Sequence, residues 1–182
     1  MAISEAARKN YDELFPGHVS GLRVTDPELT EYFDNFAFDE VLRHGNLDTR
    51  TRLMVQLASM IAVQALGEYQ VMLGAALTAG VTPVEVKEIV YQAVPYVGMA
   101  RVSDFIHATN RILSELGVEL PLPGQSTTTP EDRAEMGLAM QKQIVGAEAV
   151  DRLYASAADD EKAFPVLSVR QLLRGPPDPY RH

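Results

Sequence analysis

The chain contains no cysteine. That absence removes disulfides, thiolate metal ligands and thiol catalysis together, in whatever compartment the protein works. Basic residues are also scarce: 16 Lys and Arg stand against 25 Asp and Glu, a formal net charge of -9. No basic run gathers them, so the charge pattern argues against nucleic-acid binding and for acidic solubility. Long apolar runs are missing too. No window reaches the roughly 18 apolar residues of a membrane span, and the opening MAISEAARKNYDELF has no apolar core of a signal sequence. The expectation is a soluble, cytoplasmic protein without a membrane partner. His18 and His44 fall in expected loops or helix ends and His182 is terminal, so no histidine pair has metal-ligand spacing. Nucleotide-binding glycine patterns and the Gly-x-Ser-x-Gly elbow are absent as well. Neither a metal nor a cofactor is expected.

What is present is helix punctuation. The chain is 182 residues long and 46% hydrophobic, enough for one ordinary domain with a core and an appended segment. Ala6, Ala7, Tyr11 and Leu14 recur at helical spacing from Ser4 to Phe15, and the breaker pair Pro16-Gly17 stops them. Asp26 followed by Pro27 and Glu28 opens a second helix that Gly45 ends, with Leu29, Tyr32, Phe33, Phe36, Phe38, Val41 and Leu42 on its apolar side. Asp48 caps a third run, in which Leu53, Met54, Leu57, Ile61 and Leu66 alternate with Ala58, Ala62 and Ala65. This pattern predicts a helix buried almost all round. EYQVMLGAALTAG follows from Glu68, with Gly80 suited to a left-handed C-terminal position.

Thr82-Pro83-Val84-Glu85 is the clearest local signal, a threonine cap with proline first and glutamate third. The helix it starts carries Val86, Ile89, Val90 and Ala93 inward, meets Pro95 as a kink or stop, and yields after Gly98 to MARVSDFIHATNRILSELG. LPLPGQSTTT, residues 120–129, reads as a linker. Thr129-Pro130-Glu131-Asp132 then repeats the cap logic before RAEMGLAMQKQIVG and a short helix over 147–155. No strand pattern occurs, so the fold class is all-α.

TRTRL, the small-residue helix after it, LGAALTAGVTPVEVKEIVYQ and PYVGMAR stand in an order and spacing that resemble the carboxymuconolactone decarboxylase family, over about residues 48–115. The resemblance implies a compact alkylhydroperoxidase D-like helical unit, a central helix hairpin, and assembly as a trimer or hexamer with pockets near subunit contacts. The faces around Met54 and Leu73 add an expectation of a homo-oligomer.

The resemblance implies two chemistries. Peroxide or disulfide reduction needs a Cys-x-x-Cys pair, a histidine one turn on and an upstream glutamate; those positions fall on Ala65, Glu68, Met72 and Leu53 here, and none matches. Decarboxylation of a carboxylated lactone by acid-base work fits better at Glu68, although its histidine again falls on Met72. The expectation is a decarboxylase-like lyase acting on a small molecule, with a non-catalytic oligomerisation or ligand-binding module as the alternative.

Each candidate residue has a plain reading beside the functional one. Glu68 is either a first-turn acid favoured by the helix dipole or a proton donor and acceptor whose pKa burial has raised. His107 is a structural histidine or a proton shuttle oriented by Ser103 or Asp104. Arg52 is half of an interhelix ion pair or the clamp on a substrate carboxylate. Tyr91, Gln92 and Tyr96 are core aromatics and their neighbour, or a pocket wall offering donors.

The division expected along the chain is a family-like domain over 1–119, the linker 120–129, the start of an incomplete second repeat over 130–163 and an irregular tail over 164–182. Two-domain members of the family continue with a segment like Ser-Ala-Asn-Cys-Phe-Gly-Asp. One coding of it, TCC GCC AAC TGC TTC GGG GAC, read from its third base gives Arg-Gln-Leu-Leu-Arg-Gly, which is Arg170–Gly175. The tail is therefore expected to be a frame-shifted remnant of a second domain, ordered only if a neighbouring subunit covers Val166, Leu167, Leu172 and Leu173. Sequencing the gene tests this: another frame past codon 164 should continue in a family-like manner, and one that does not would remove the idea.

Overall fold

A computed structural model describes residues 2–157. Every regular element among them is helical, and the fold is all-α. Residues 158–182, which include the end of the expected second repeat and the whole expected tail with His182, lie outside the described residues.

The centre consists of α5 (Thr49–Ala62), α6 (Leu66–Thr78), α7 (Pro83–Val97) and α8 (Met99–Glu115). α5 packs on α6 and α7, and α8 on α6 and α7. One stripe of each helix closes the core: Leu53, Leu57 and Ile61 from α5, Tyr69 and Leu73 from α6, Val86 and Val90 from α7, Val102 and Phe105 from α8. The spacing of three and four residues lays these side chains along one face of each helix, where burial removes apolar surface from water. A polar pair sits inside this core. The Tyr69 hydroxyl lies 2.7 Å from the Thr109 hydroxyl, which itself bonds the Phe105 carbonyl at 2.7 Å. Because Thr109 donates to that carbonyl, Tyr69 is the donor to Thr109. Burial pushes the Tyr69 phenol up to about 12, and its ring meets Phe105 edge-on at 5.1 Å.

Caps fix where the central helices begin. The Asp48 carboxylate accepts from the Thr51 amide at 2.9 Å and the Thr51 hydroxyl at 2.6 Å, bonds that hold its pKa low. At α7 the Thr82 hydroxyl accepts from the Glu85 amide and Glu85 reaches back to the Thr82 amide at 2.8 Å. The same Glu85 pairs with Arg50 of α5, so one carboxylate ties the starts of two helices. Burial works against its charge, but the Thr82 and Arg50 contacts outweigh that and hold its pKa below the ordinary value. α6 ends as its glycine suggests. Gly80 has φ +87°, and the Val81 amide returns to the Ala76 carbonyl at 2.9 Å.

α1 (Glu5–Leu14), α2 (Leu22–Thr25), α3 (Pro27–Asn35) and α4 (Val41–His44) form the N-terminal layer, and a π-helical turn over Phe36–Glu40 joins the last two. Its inward face differs from the expected one. Leu29, Tyr32, Phe33 and Phe36 are 56–62% exposed, whereas Thr30, Asp34 and Asp39 point inward. The physical reason is that the partners of this face are polar. Arg23 meets Asp34 at 3.2 Å, Arg43 and Ser4 both bond Asp39, and Asn35 accepts from the Ser4 amide at 2.7 Å. The π turn adds a residue to the helix and lets Phe38 lean against Tyr11 at 5.2 Å beside Asp39.

Three further expectations change. α5 is buried along one side only, with Val55, Ala58, Ser59, Ala62 and Val63 exposed, and the chain breaks at Val63–Ala65, so that Leu66 begins α6. Leu73, expected on an uncovered face, is fully buried within the subunit, and Met54 packs half-buried against the same core. Pro95 does not stop α7, which runs on to Val97. α9 (Arg133–Val145) and α10 (Ala147–Ser156) pack chiefly on each other, with Val150 buried between them and Lys142 2.6 Å from Asp151.

The donor order at the core pair makes an asymmetric prediction. Tyr69→Phe leaves Thr109 bonded to the Phe105 carbonyl and should cost about 1 kcal/mol, whereas Thr109→Val strands the buried phenol and should cost about 1–3 kcal/mol. Urea unfolding of the two variants measures it, and a larger loss for Tyr69→Phe would reverse the assigned donor.

Candidate functional site

The five candidate side chains come from four helices. Arg52 lies in the first turn of α5, Glu68 in the first turn of α6, Gln92 and Tyr96 one turn apart on α7, and His107 midway along α8. All face away from the core. Arg52 and Gln92 are half-buried, Glu68 and His107 are exposed, and Tyr96 is 81% exposed. None of the five hydrogen bonds or pairs through its side chain with another described residue, so no direct bond links them to one another. Ser103 and Asp104 do not bond His107.

The reason lies next to them in sequence. Tyr69 turns inward to Thr109, which commits the start of α6 to the core and leaves Glu68, its neighbour, outside. Leu53 does the same for Arg52. Exposed apolar residues share these outer stripes: Val55 and Val63 on α5, Val71 on α6, Met99 at the start of α8. Arg52 and Val55, Glu68 and Val71, and Gln92 and Tyr96 stand three or four residues apart, hence on common faces.

Clefts within the subunit lie elsewhere. One of about 360 Å³ is walled by α7 and by residues 120–125, with Lys87, Glu88, Tyr91 and Asn110 supplying its polar groups. Lys87 donates to the Asn110 amide oxygen and stands 5.1 Å from the centre of the Tyr91 ring. The spacing of Lys87 and Tyr91 on one helix is legible in the sequence. Asn110 and the returning 120–125 segment are not, because only the packing of α8 on α7 places them. A second, wider cleft of about 620 Å³ runs between α1 and α6 and includes His18. Among the described residues no three His, Asp or Glu side chains converge as metal ligands would.

Residues 27–111 match the profile of the carboxymuconolactone decarboxylase family. Over that segment, a little under half of its length, the chain is similar to this family. The segment runs from the first residue of α3 to the last third of α8 and contains all five candidates. The chain is also similar to a 4-carboxymuconolactone decarboxylase of Acinetobacter baylyi, 26% identical over 100 residues that span 55% of this chain and 75% of the relative. No solved structure matches it. Within the family segment, two of the four positions assigned to thiol chemistry are given over to packing. Leu53 is 1% exposed and Met72 lies against the same core. No helix among the described residues is long and apolar enough to cross a membrane.

Proposed function

We propose that this protein performs acid-base chemistry on a small carboxylated or lactone-like molecule, as a decarboxylase-like lyase, at a site that a second copy of the chain completes. The observation that carries the reading is the family match over the helices that bear Arg52, Glu68, Gln92, Tyr96 and His107, combined with the outward, uncommitted position of all five. Side chains that have no partner among the described residues and share faces with exposed Val55, Val63 and Val71 suit a contact between copies, where burial would also raise the pKa of a carboxyl toward neutrality.

In this reading Arg52 holds the substrate carboxylate that stays, and Gln92 and Tyr96 supply donors along the wall. Loss of the other carboxylate as carbon dioxide breaks a carbon-carbon bond and leaves its electron pair on carbon. Glu68, in its acid form, gives that carbon a proton and regains one from water, with His107 assisting the return. The assembly expected is a trimer or hexamer.

A second reading, a non-catalytic oligomerisation or ligand-binding module, is favoured by the separation of the five candidates within one subunit and by methionine at position 72. Peroxidase chemistry of the thiol type is not proposed, because the chain has no cysteine.

Turnover of 4-carboxymuconolactone by the full chain separates the readings. Decarboxylation by the wild type, falling by about 100-fold or more in Glu68→Gln with an unchanged melting temperature, is the expected result. Equal turnover by Glu68→Gln would remove the role of Glu68, and no turnover by the wild type would favour the non-catalytic module.

A further inference from the structure

The loop after α1 and the helices around it build a second polar constellation. The Tyr11 hydroxyl lies 2.7 Å from His18 Nδ1. Behind it, the Arg23 guanidinium stands 5.0 Å from the centre of the Tyr11 ring and meets the buried Asp34 carboxylate at 3.2 Å, while Arg23 Nε is buried without a partner. Four side chains from α1, the following loop, α2 and α3 are thus linked in a row that ends on one imidazole. Tyr11 is buried and burial raises its pKa, so the phenol keeps its proton. His18 is its hydrogen-bond partner. With the phenol donating to Nδ1, the neutral ring carries its proton on Nε2; in the charged ring both nitrogens carry protons. In both of these arrangements His18 presents Nε2–H as a donor.

That imidazole stands at the edge of the wider cleft. The remaining lining is almost wholly apolar: Leu14 and Phe15 from the end of α1, Val71, Ala75 and Leu77 from α6, and Leu116 from the end of α8. A volume of about 620 Å³ is in the range of small-molecule sites, and one fixed donor on an apolar wall is the lining such sites have. Residues 14–18 also precede the family-matched segment, so the constellation is partly built from residues the family profile does not cover.

We propose that the cleft between α1 and α6 binds a small amphipathic carboxylate, its hydrocarbon body on Val71, Leu77 and Leu116 and one carboxylate oxygen on His18 Nε2–H. The Tyr11–Arg23–Asp34 row holds the imidazole in place for this contact, and Tyr11 is a positioning residue. The site is separate from the five candidates on the outer faces of α5–α8, none of which lines it.

Octanoate titrated into the full chain is the test, read by calorimetry and by the ¹⁵N signals of the histidine rings. Saturable binding is expected, with the His18 Nε2 signal moving on addition. His18→Phe should weaken binding about tenfold or more, as loss of a hydrogen bond to a charged group does, and His18→Gln, whose amide N–H can reach the same place, should recover part of it. 1-Octanol should bind more weakly than octanoate. Absence of saturable binding, equal affinity in His18→Phe, or octanol binding as tightly as octanoate would each overturn the proposal, the last by reducing the cleft to an apolar surface.

Discussion

What the central helices present on their outer faces follows from how α5–α8 close their core. Leu53, Leu57, Ile61, Leu73, Val86, Val90, Val102 and Phe105 take the inward stripe of each helix, and Tyr69 with Thr109 satisfies its own polarity among them. A helix that commits one face inward has fixed where every other residue points. Arg52, Glu68, Gln92, Tyr96 and His107 occupy the faces left over. Their backbones are held by caps at Asp48 and Thr82 and by the Arg50–Glu85 link between α5 and α7. The chemistry proposed for them is the one that a second copy of the chain would complete.

The N-terminal layer obeys a different balance. A helix carrying four aromatics would ordinarily turn them inward, because burial of a large apolar side chain is worth about 1.5–3 kcal/mol. Here Asp34 and Asp39 face inward instead, each already matched to an arginine, and Tyr32, Phe33 and Phe36 face outward. Turning the helix over would take Asp34 away from Arg23 and Asp39 away from Ser4, which is the costlier arrangement. The outcome is a second apolar surface on the same molecule, on a different layer from the one bearing Glu68.

Caps and glycines were the most legible part of the sequence. Asp48, the Thr82–Glu85 box and the left-handed Gly80 are local chemistry, and each bears the bonds its residues suggest. The resemblance read from TRTRL to PYVGMAR falls inside the segment 27–111 that the family profile matches, apart from its last few residues. Facing was less legible. The apolar stripe of α3 was expected to be buried and is exposed, because the acids opposite it have partners on α2 and at Ser4 that lie far off in sequence. α5 looked buried all round because alanines at 58 and 62 fit close contact, yet both are exposed among the described residues. The row Asp34–Arg23–Tyr11–His18 had no sequence signal at all, since its spacing spans three helices and a loop.

The central claim is that the decarboxylase-like site is completed between copies, and native mass spectrometry of the intact protein tests it most directly. A mass three or six times the 20.0 kDa of one chain, present at micromolar concentration and in physiological salt, is the result the account predicts. A single species of 20.0 kDa under those conditions would contradict it, for Glu68 and His107 would then face only water.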